Sequence, residues 1–146
     1  MKILFLGDIV GPSGCMVVKK HLKKIVEENK INFVIANGEN AAHNGVGITK
    51  DVLDNLIKFG VNVLTTGNHV WDHKETLKLV EDDNRLLRPF NLIGLSPGKG
   101  FEIYQTSKNL KIGLFNSESK NIYSSEQKII VSVEKSLNNL IKDAEK

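Results

Sequence analysis

Cysteine and long apolar stretches are both scarce in this chain of 146 residues. Cys15 is the only cysteine, so no disulfide can form within the chain, and a reducing compartment is the natural setting. The apolar run at the N-terminus is interrupted by Asp8 before it reaches the length of a signal peptide, and no stretch is long enough to span a bilayer. These absences predict a cytoplasmic location and no membrane partner.

An excess of charge of one sign is also missing. The formal net charge is +3, and the lysines are spread along the chain rather than gathered in one run. We expect most of them to solvate helix faces, so the composition gives no strong signal for a nucleic-acid partner. Repeats and low-complexity tracts are absent from the sequence, and its length fits one domain with a sizeable core.

Short apolar runs alternate with helical patterns over the first 80 residues. The predicted elements are a strand at Ile3–Leu6, a helix carrying Val18, Leu22, Ile25 and Val26 on one face, a strand at Ile31–Ala36, a helix from an N-cap at Thr49 to Gly60, a strand at Val61–Leu64 and a helix at Lys74–Val80. Alternation of this kind is typical of a parallel sheet with crossover helices.

The pattern changes beyond Pro89. The segments Phe101–Thr106 and Leu110–Phe115 flank a turn-like stretch and predict an antiparallel hairpin. From about Ile130 to Lys146, apolar residues recur at helical spacing and predict an amphipathic helix. The predicted fold class is α/β: a parallel sheet with flanking helices plus a hairpin.

Polar residues follow each of the three predicted parallel strands, and a glycine precedes each group. In an open parallel sheet, ligands bind beyond the carboxyl ends of the strands. Carboxylate, amide and imidazole groups suit Mn, Fe, Mg or Zn, and two such ions about 3.5–4 Å apart can hold a phosphate. The residues are Asp8 after the first strand, Asn37, Glu39 and Asn40 after the second, and Asn68, His69, Asp72 and His73 after the third.

Each of these residues also has a structural explanation when taken alone. Asp8 could be a loop residue or a helix cap, and Glu39 and Asn40 could serve as turn residues. A single histidine such as His69 is more often a surface or core residue than a catalyst, and the glycines could simply permit tight turns. Their joint occurrence after three successive strands favours a functional site.

Three motifs stand at the ends of the predicted strands: GDIVG at 7–11, NGENAAH at 37–43 and GNHVWD at 67–72. They resemble those of the calcineurin-like metallophosphoesterases, and most closely the YmdB-like branch of 2′,3′-cyclic-nucleotide phosphodiesterases. LLRPFN at 86–91 and PGKG at 97–100 fit the same branch. The resemblance covers residues 1–115 and leaves a weakly matched tail at 116–146. At 116–120 the chain has NSESK, where the family usually has a loop containing Gly-Arg.

The resemblance implies a site with two divalent or iron-type metal ions. Asp8 would bind one ion, Glu39 would bridge both, and Asn68 would bind the second. Asn40 would lie beside the metals or the phosphate, where it is a further candidate for metal binding and would also contact the substrate.

The resemblance also implies roles for the histidines of the motifs. His69 would protonate the leaving oxygen or contact the phosphate, a role that suits a side chain able to exchange a proton near neutral pH. His43 would lie in a loop over the site and contact the substrate. Asp72 and His73 would orient the turn that carries His69.

The implied activity is metal-dependent hydrolysis of phosphodiesters such as 2′,3′-cyclic nucleotides, with a small phosphodiester or nucleotide as substrate. Family members complete the site with three histidines from a second half, and the remaining histidine here, His21, lies in the first predicted helix. We therefore expect residues 1–146 to form a single, incomplete domain, half of a metallophosphoesterase sandwich. Its open sheet face would be uncovered, or covered by the terminal helix, a partner chain or an oligomer. The alternative is a truncated, inactive α/β module that binds a nucleotide or a protein.

Overall fold

A computed structural model describes residues 1–91, 97–106 and 109–118, together with the backbone of 127–133. In chain order its elements are β1 (Ile3–Asp8), α1 (Gly11–Asn29), β2 (Phe33–Asn37), α2 (Lys50–Lys58), β3 (Val63–Thr65), a 3-10 helix (Asn68–Trp71), α3 (Lys74–Asp82), β4 (Leu86–Leu87), β5 (Phe101–Gln105), β6 (Lys111–Glu118) and β7 (Gln127–Val133).

The first four strands form a parallel sheet in the order β1-β2-β3-β4. The predicted strands and helices of the first 82 residues are present, with boundaries moved by a few residues, and the predicted fold class is confirmed. Strand β4 was not predicted, because it is only two residues long and its pairing with β3 depends on the rest of the sheet.

Local sequence signals mark where the helices begin and end. Pro12 occupies the first turn of α1, where its missing N–H has no intrahelical partner to lose, and Lys30 adopts the left-handed conformation that closes the helix. Thr49 is the N-cap residue of α2, although its side chain makes no capping hydrogen bond. None of the helices in the described part of the chain is long and apolar enough to cross a membrane.

The parallel sheet is covered on both faces at β2, β3 and β4. Val34 and Ala36 of β2 belong to the core on the helix side, whereas Phe33 and Ile35 belong to a second core. This second core is completed by β5 and β6 of an antiparallel sheet with the order β5-β6-β7. Its buried members are Phe33, Ile35, Val63, Leu87, Ile112 and Leu114. Burial of both faces explains why β2 is a continuous apolar run instead of an alternating one.

The antiparallel sheet corrects the expectation of an uncovered sheet face. An uncovered sheet face is not found over β2, β3 and β4, because Ile112 and Leu114 of β6 pack against it. Exposure remains at the edge strand β1, where Phe5 is 46% accessible. A partner chain or an oligomer stays a prediction.

The predicted C-terminal helix is wrong at residues 130–133. Gln127–Val133 is the strand β7, which is antiparallel to β6. In this pairing Ile130 is opposite Phe115, and Val131 is opposite Leu114. The segment reads QKIIVSV, and its branched side chains suit an extended strand better than a helix. The rest of the predicted helix, 134–146, lies outside the described residues.

Candidate functional site

The predicted polar residues lie at one edge of the parallel sheet. Asp8 ends β1, Glu39 follows β2 and Asn68 follows β3, and these strands run in the same direction. The pairing of β1 with β2 shifts register between Leu6 and Asp8, an irregularity of the kind that re-aims a side chain. The three strand ends therefore bring their side chains to a common side.

Asp8 is paired with Asn40. The Asn40 amide donates a hydrogen bond from Nδ2 to Asp8 Oδ2 at 2.9 Å. The main chain supports this pair, because Gly11 N donates to Asn40 O at 2.9 Å. The loops after β1 and β2 are thereby held side by side.

Glu39 lies directly over Gly67. A Cβ atom built on Gly67 would come within 2.1–2.2 Å of the three Glu39 carboxyl atoms. The backbone N–H of His69 is 3.4 Å from Glu39 Oε1, a long hydrogen bond. Glycine at position 67 therefore leaves the space that the Glu39 carboxylate occupies.

Asn68 lies between two carboxylates. One end of its amide is 3.1 Å from Glu39 Oε1 and 2.9 Å from Glu118 Oε1, and its nitrogen donates to both when it faces them. Glu118 ends β6 of the antiparallel sheet, so the second sheet also contributes to this site. The sequence motifs did not indicate Glu118.

Glu118 is partly buried beside the other acidic group. Burial raises the pKa of Glu118, and the charge of Glu39 raises it further, while Asn68 and His69 act in the opposite direction. Among the described residues, Glu118 Oε2 is buried without a hydrogen-bond partner. Asn91 fixes the position, since Glu118 N donates to Asn91 Oδ1 at 2.9 Å and Asn91 Nδ2 donates to Glu118 O at 2.5 Å.

The turn after β3 orients the imidazole of His69. Its Nδ1 lies 2.6 Å from Asp72 Oδ2, and both side chains are partly exposed. His73 has a different contact: its Nε2 lies 2.8 Å from Val46 O, and its ring fills the space beside Gly47. These contacts are those expected of residues that hold the turn, and they leave Nε2 of His69 available to a ligand.

His43 lies in a different contact environment. It is exposed and lines a groove formed mainly by α1 and α2, together with Met16 and Phe59. Cys15 lines the same groove, and burial raises the pKa of its thiol, which disfavours a reactive thiolate. A substrate contact by His43 stays a prediction.

The donor set suits a hard cation, although incompletely. Glu39, Glu118 and Asn68 offer carboxylate and amide oxygens, which are the ligands that Mg²⁺ and Mn²⁺ prefer. In the described part of the chain, no group of three or more His, Cys, Asp and Glu side chains is arranged to hold a metal ion. The roles predicted for Asp8, Glu39 and Asn68 as ligands therefore stay predictions.

The fold and the strand-end residues define an α/β protein whose candidate site lies at the carboxyl edge of a parallel sheet. A family model described as "YmdB-like protein" matches residues 4–145. The chain belongs to the YmdB-like family, which confirms the resemblance of the motifs.

Known proteins similar to this chain are about twice its length. A 2′,3′-cyclic-nucleotide 2′-phosphodiesterase of Bacillus subtilis (strain 168) is 39% identical over 120 residues, which cover 82% of this chain and 45% of the relative. The chain spans less than half the length of the curated relatives it matches.

Two solved structures share the fold. A hypothetical protein from Thermus thermophilus has a TM-score of 0.78 and 31% identity, with 98% of this chain and 53% of the other covered. A structure described as a novel phosphatase, from Mycoplasma pneumoniae, has a TM-score of 0.78 and 29% identity, with 98% and 51% covered.

Proposed function

We propose that this chain supplies part of the site of a metal-dependent phosphodiesterase of the calcineurin-like type, acting in the cytoplasm on phosphodiesters such as 2′,3′-cyclic nucleotides. The observation that carries the proposal is the Glu39 carboxylate, seated over Gly67 and in contact with the amide of Asn68. Asp8 and Asn40 add a second oxygen-rich pair at the same sheet edge. The activity named for the Bacillus subtilis relative, a 2′,3′-cyclic-nucleotide 2′-phosphodiesterase, supports the choice of substrate class.

Asp8, Glu39 and Asn68 would hold two divalent or iron-type ions, Mn, Fe, Mg or Zn. Bound ions of this kind polarise a phosphate and lower the pKa of water. Glu39 follows β2, and β2 lies between β1, which ends at Asp8, and β3, which precedes Asn68. That position suits a carboxylate that bridges two ions.

His69 would supply the proton for the leaving oxygen. In the hydrolysis, a water molecule loses a proton to the solvent and its oxygen bonds to phosphorus, while the bond from phosphorus to the leaving oxygen breaks. The leaving oxygen would take its proton from His69, which would regain one from the solvent. The Asp72 carboxylate holds Nδ1 of His69, so Nε2 is the atom that would donate. Asn40 and His43 would contact the phosphate or the nucleoside.

The second candidate function is binding without catalysis, to a nucleotide or a protein. It is favoured by the small number of acidic and imidazole ligands in the described part of the chain, where no set of three is arranged for a metal ion. A module of this kind would keep the polar residues at the sheet edge for binding but would not hydrolyse a substrate.

Metal content and hydrolysis, measured together, separate the two functions. We expect Mn²⁺ to bind the purified chain, and Glu39→Gln to weaken that binding, while Glu81→Gln on the exposed side of α3 removes the same charge and leaves binding unchanged. Hydrolysis of bis-p-nitrophenyl phosphate and 2′,3′-cAMP is then followed beside the longer Bacillus subtilis relative. Nucleotide binding with no dependence on metal or on Glu39 would support the binding module instead.

A further inference from the structure

Three oxygen-bearing side chains from distant parts of the sequence meet at the edge of the parallel sheet. Glu39 follows β2, Asn68 follows β3, and Glu118 ends β6 in the other sheet. The Asn68 amide is 3.1 Å from Glu39 Oε1 and 2.9 Å from Glu118 Oε1. Glu118 thus adds a second carboxylate to the end of the Asn68 amide that contacts Glu39.

The two carboxylates share the neutral amide of Asn68. The ion pairs of the described residues involve neither Glu39 nor Glu118. Glu118 Oε2 is buried and lacks a hydrogen-bond partner within the same residues. A buried oxygen without a partner, beside a second carboxylate, is unfavourable unless a cation or a proton joins it.

The backbone holds Glu118 in this place independently of its side chain. Asn91 bonds both the N–H and the carbonyl of Glu118. Two residues earlier, Asn116 Nδ2 donates to Thr66 O at 2.8 Å and to Leu87 O at 3.0 Å, which joins β6 to the ends of β3 and β4. The carboxylate is therefore brought to the site by the packing of the two sheets.

The amide of Asn68 can interact favourably at this place in either of its two orientations, with its nitrogen or with its oxygen toward Glu39 and Glu118. With its nitrogen toward the carboxylates, it donates a hydrogen bond to each of them. With its oxygen toward them, oxygens of Glu39, Asn68 and Glu118 converge, as the ligands of a hard cation do. A cation would therefore remove the repulsion and give the carboxylates a common partner.

We propose that Glu118 is a further oxygen ligand of the cation held by Glu39 and Asn68, and that this cation is a hard divalent ion such as Mn²⁺ or Mg²⁺. The inference rests on the proposed function, because it adds a residue to the same site. It gives β6 of the antiparallel sheet a direct contact with the cation, through a residue that lies beyond the family motifs in the sequence.

The test uses the whole chain with Mn²⁺ as the probe. Affinity is measured by calorimetric titration, and Tm is measured with and without MnCl₂, for the wild type, Glu118→Gln, Glu39→Gln and the control Glu81→Gln. Glu118→Gln keeps the size of the side chain and an oxygen acceptor for Asn68 but removes the charge. We expect it to lower the Mn²⁺ affinity about tenfold or more, a loss typical even of residues that only support metal ligands.

The two Tm measurements distinguish a ligand from a structural residue. Without Mn²⁺, Glu118→Gln relieves the repulsion from Glu39, so its Tm should equal or exceed that of the wild type. With Mn²⁺, its Tm should rise less than that of the wild type. A purely structural role would lower the Tm in both conditions and leave the affinity for Mn²⁺ unchanged.

Two outcomes would overturn the inference, and they have different meanings. If Glu39→Gln loses Mn²⁺ binding while Glu118→Gln binds like Glu81→Gln, the metal site stands and Glu118 is not a ligand. If the wild type shows neither binding nor a change in Tm with Mn²⁺, both the inference and the proposed metal site fail.

Discussion

Gly67 lies under the carboxylate of Glu39, and its lack of a side chain decides where that carboxylate can be. The three nearest atoms to a Cβ at this position all belong to the Glu39 carboxyl group. Glu39 is long and flexible, so a substitution at position 67 can push the carboxylate aside without disturbing the backbone. The position of the Glu39 carboxylate is thus more sensitive to this residue than the stability of the fold is.

Gly67→Ala should therefore change metal binding more than folding. We expect a loss of Mn²⁺ affinity of about tenfold or more, by analogy with other disturbed metal supports, and a change of about 1 kcal/mol or less in the free energy of unfolding. Calorimetric titration and urea unfolding measure the two quantities. The control is Gly7→Ala, since a Cβ on Gly7 meets nothing within 4 Å. Equal affinities of Gly67→Ala and the wild type would show that Glu39 is not held as described.

The phenol of Tyr104 should make the stability of the fold depend on pH in the alkaline range. Burial, followed by the charges of Glu102 and Asp83, raises the pKa of Tyr104 above its ordinary value, so the folded chain favours the neutral phenol. This stabilising contribution is complete below about pH 10, where the unfolded tyrosine is neutral as well, and it is lost as pH rises further. Urea unfolding at pH 8 and pH 11 should show a smaller loss of stability for Tyr104→Phe than for the wild type. The same loss in both proteins would contradict the assignment.

Strand β6 connects the two sheets at the scale of secondary structure. Ile112 and Leu114 fill the core between the sheets, Asn116 bonds the strand ends, and Glu118 reaches the candidate site. The alternation of the strand places these residues on one face, two positions apart. One strand thus contributes both core packing and a polar group at the site.

Asn116→Ala should destabilise the fold through the contacts at the strand ends. Asn116 is completely buried, and the carbonyl groups of Thr66 and Leu87 would each lose a donor. We expect a decrease of about 1–3 kcal/mol in the free energy of unfolding, measured in urea. Asn55→Ala on the exposed face of α2 is the matched control and should change stability by about 0.5 kcal/mol or less. Similar values for the two variants would mean that Asn116 does not hold the sheets together.

The whole chain corresponds to one part of its longer relatives. It covers 45% of the Bacillus subtilis protein and about half of both solved structures. The resemblance implies that further imidazole ligands come from the part of those proteins that this chain does not match. The oxygen donors of this chain would then leave several positions on each ion to water.

The isolated chain should therefore bind metal more weakly than the Bacillus subtilis relative and hydrolyse phosphodiesters slowly or not at all. Loss of residues that support metal ligands typically costs 10–100-fold in affinity or activity, and loss of ligands themselves should cost more. The measurement is Mn²⁺ titration followed by turnover of bis-p-nitrophenyl phosphate with added manganese. Turnover equal to that of the relative, and abolished in Asp8→Ala or Glu39→Ala, would show that the site is completed in another way.

Local patterns in the sequence were sufficient to predict most of the parallel sheet and the side of it that carries the site. Apolar runs that end in glycine and polar residues locate β1, β2 and β3, because a parallel strand buried on both faces needs a continuous apolar segment. Residues that directly follow such strands must lie at one edge whatever the remaining chain does. That is why Asp8, Glu39 and Asn68 could be assigned to the same sheet edge from the sequence alone.

The sequence by itself determined the class of fold, the motifs of the YmdB-like family and the strand ends that bear them. The tertiary structure decided the rest: the short strand β4, the strand at 127–133 in place of a helix, and the position of Glu118. These features depend on pairing and packing between segments far apart in the chain. Glu118 lies 50 residues beyond Asn68 in sequence, and only the docking of β6 against the parallel sheet brings its carboxylate to within 2.9 Å of that amide.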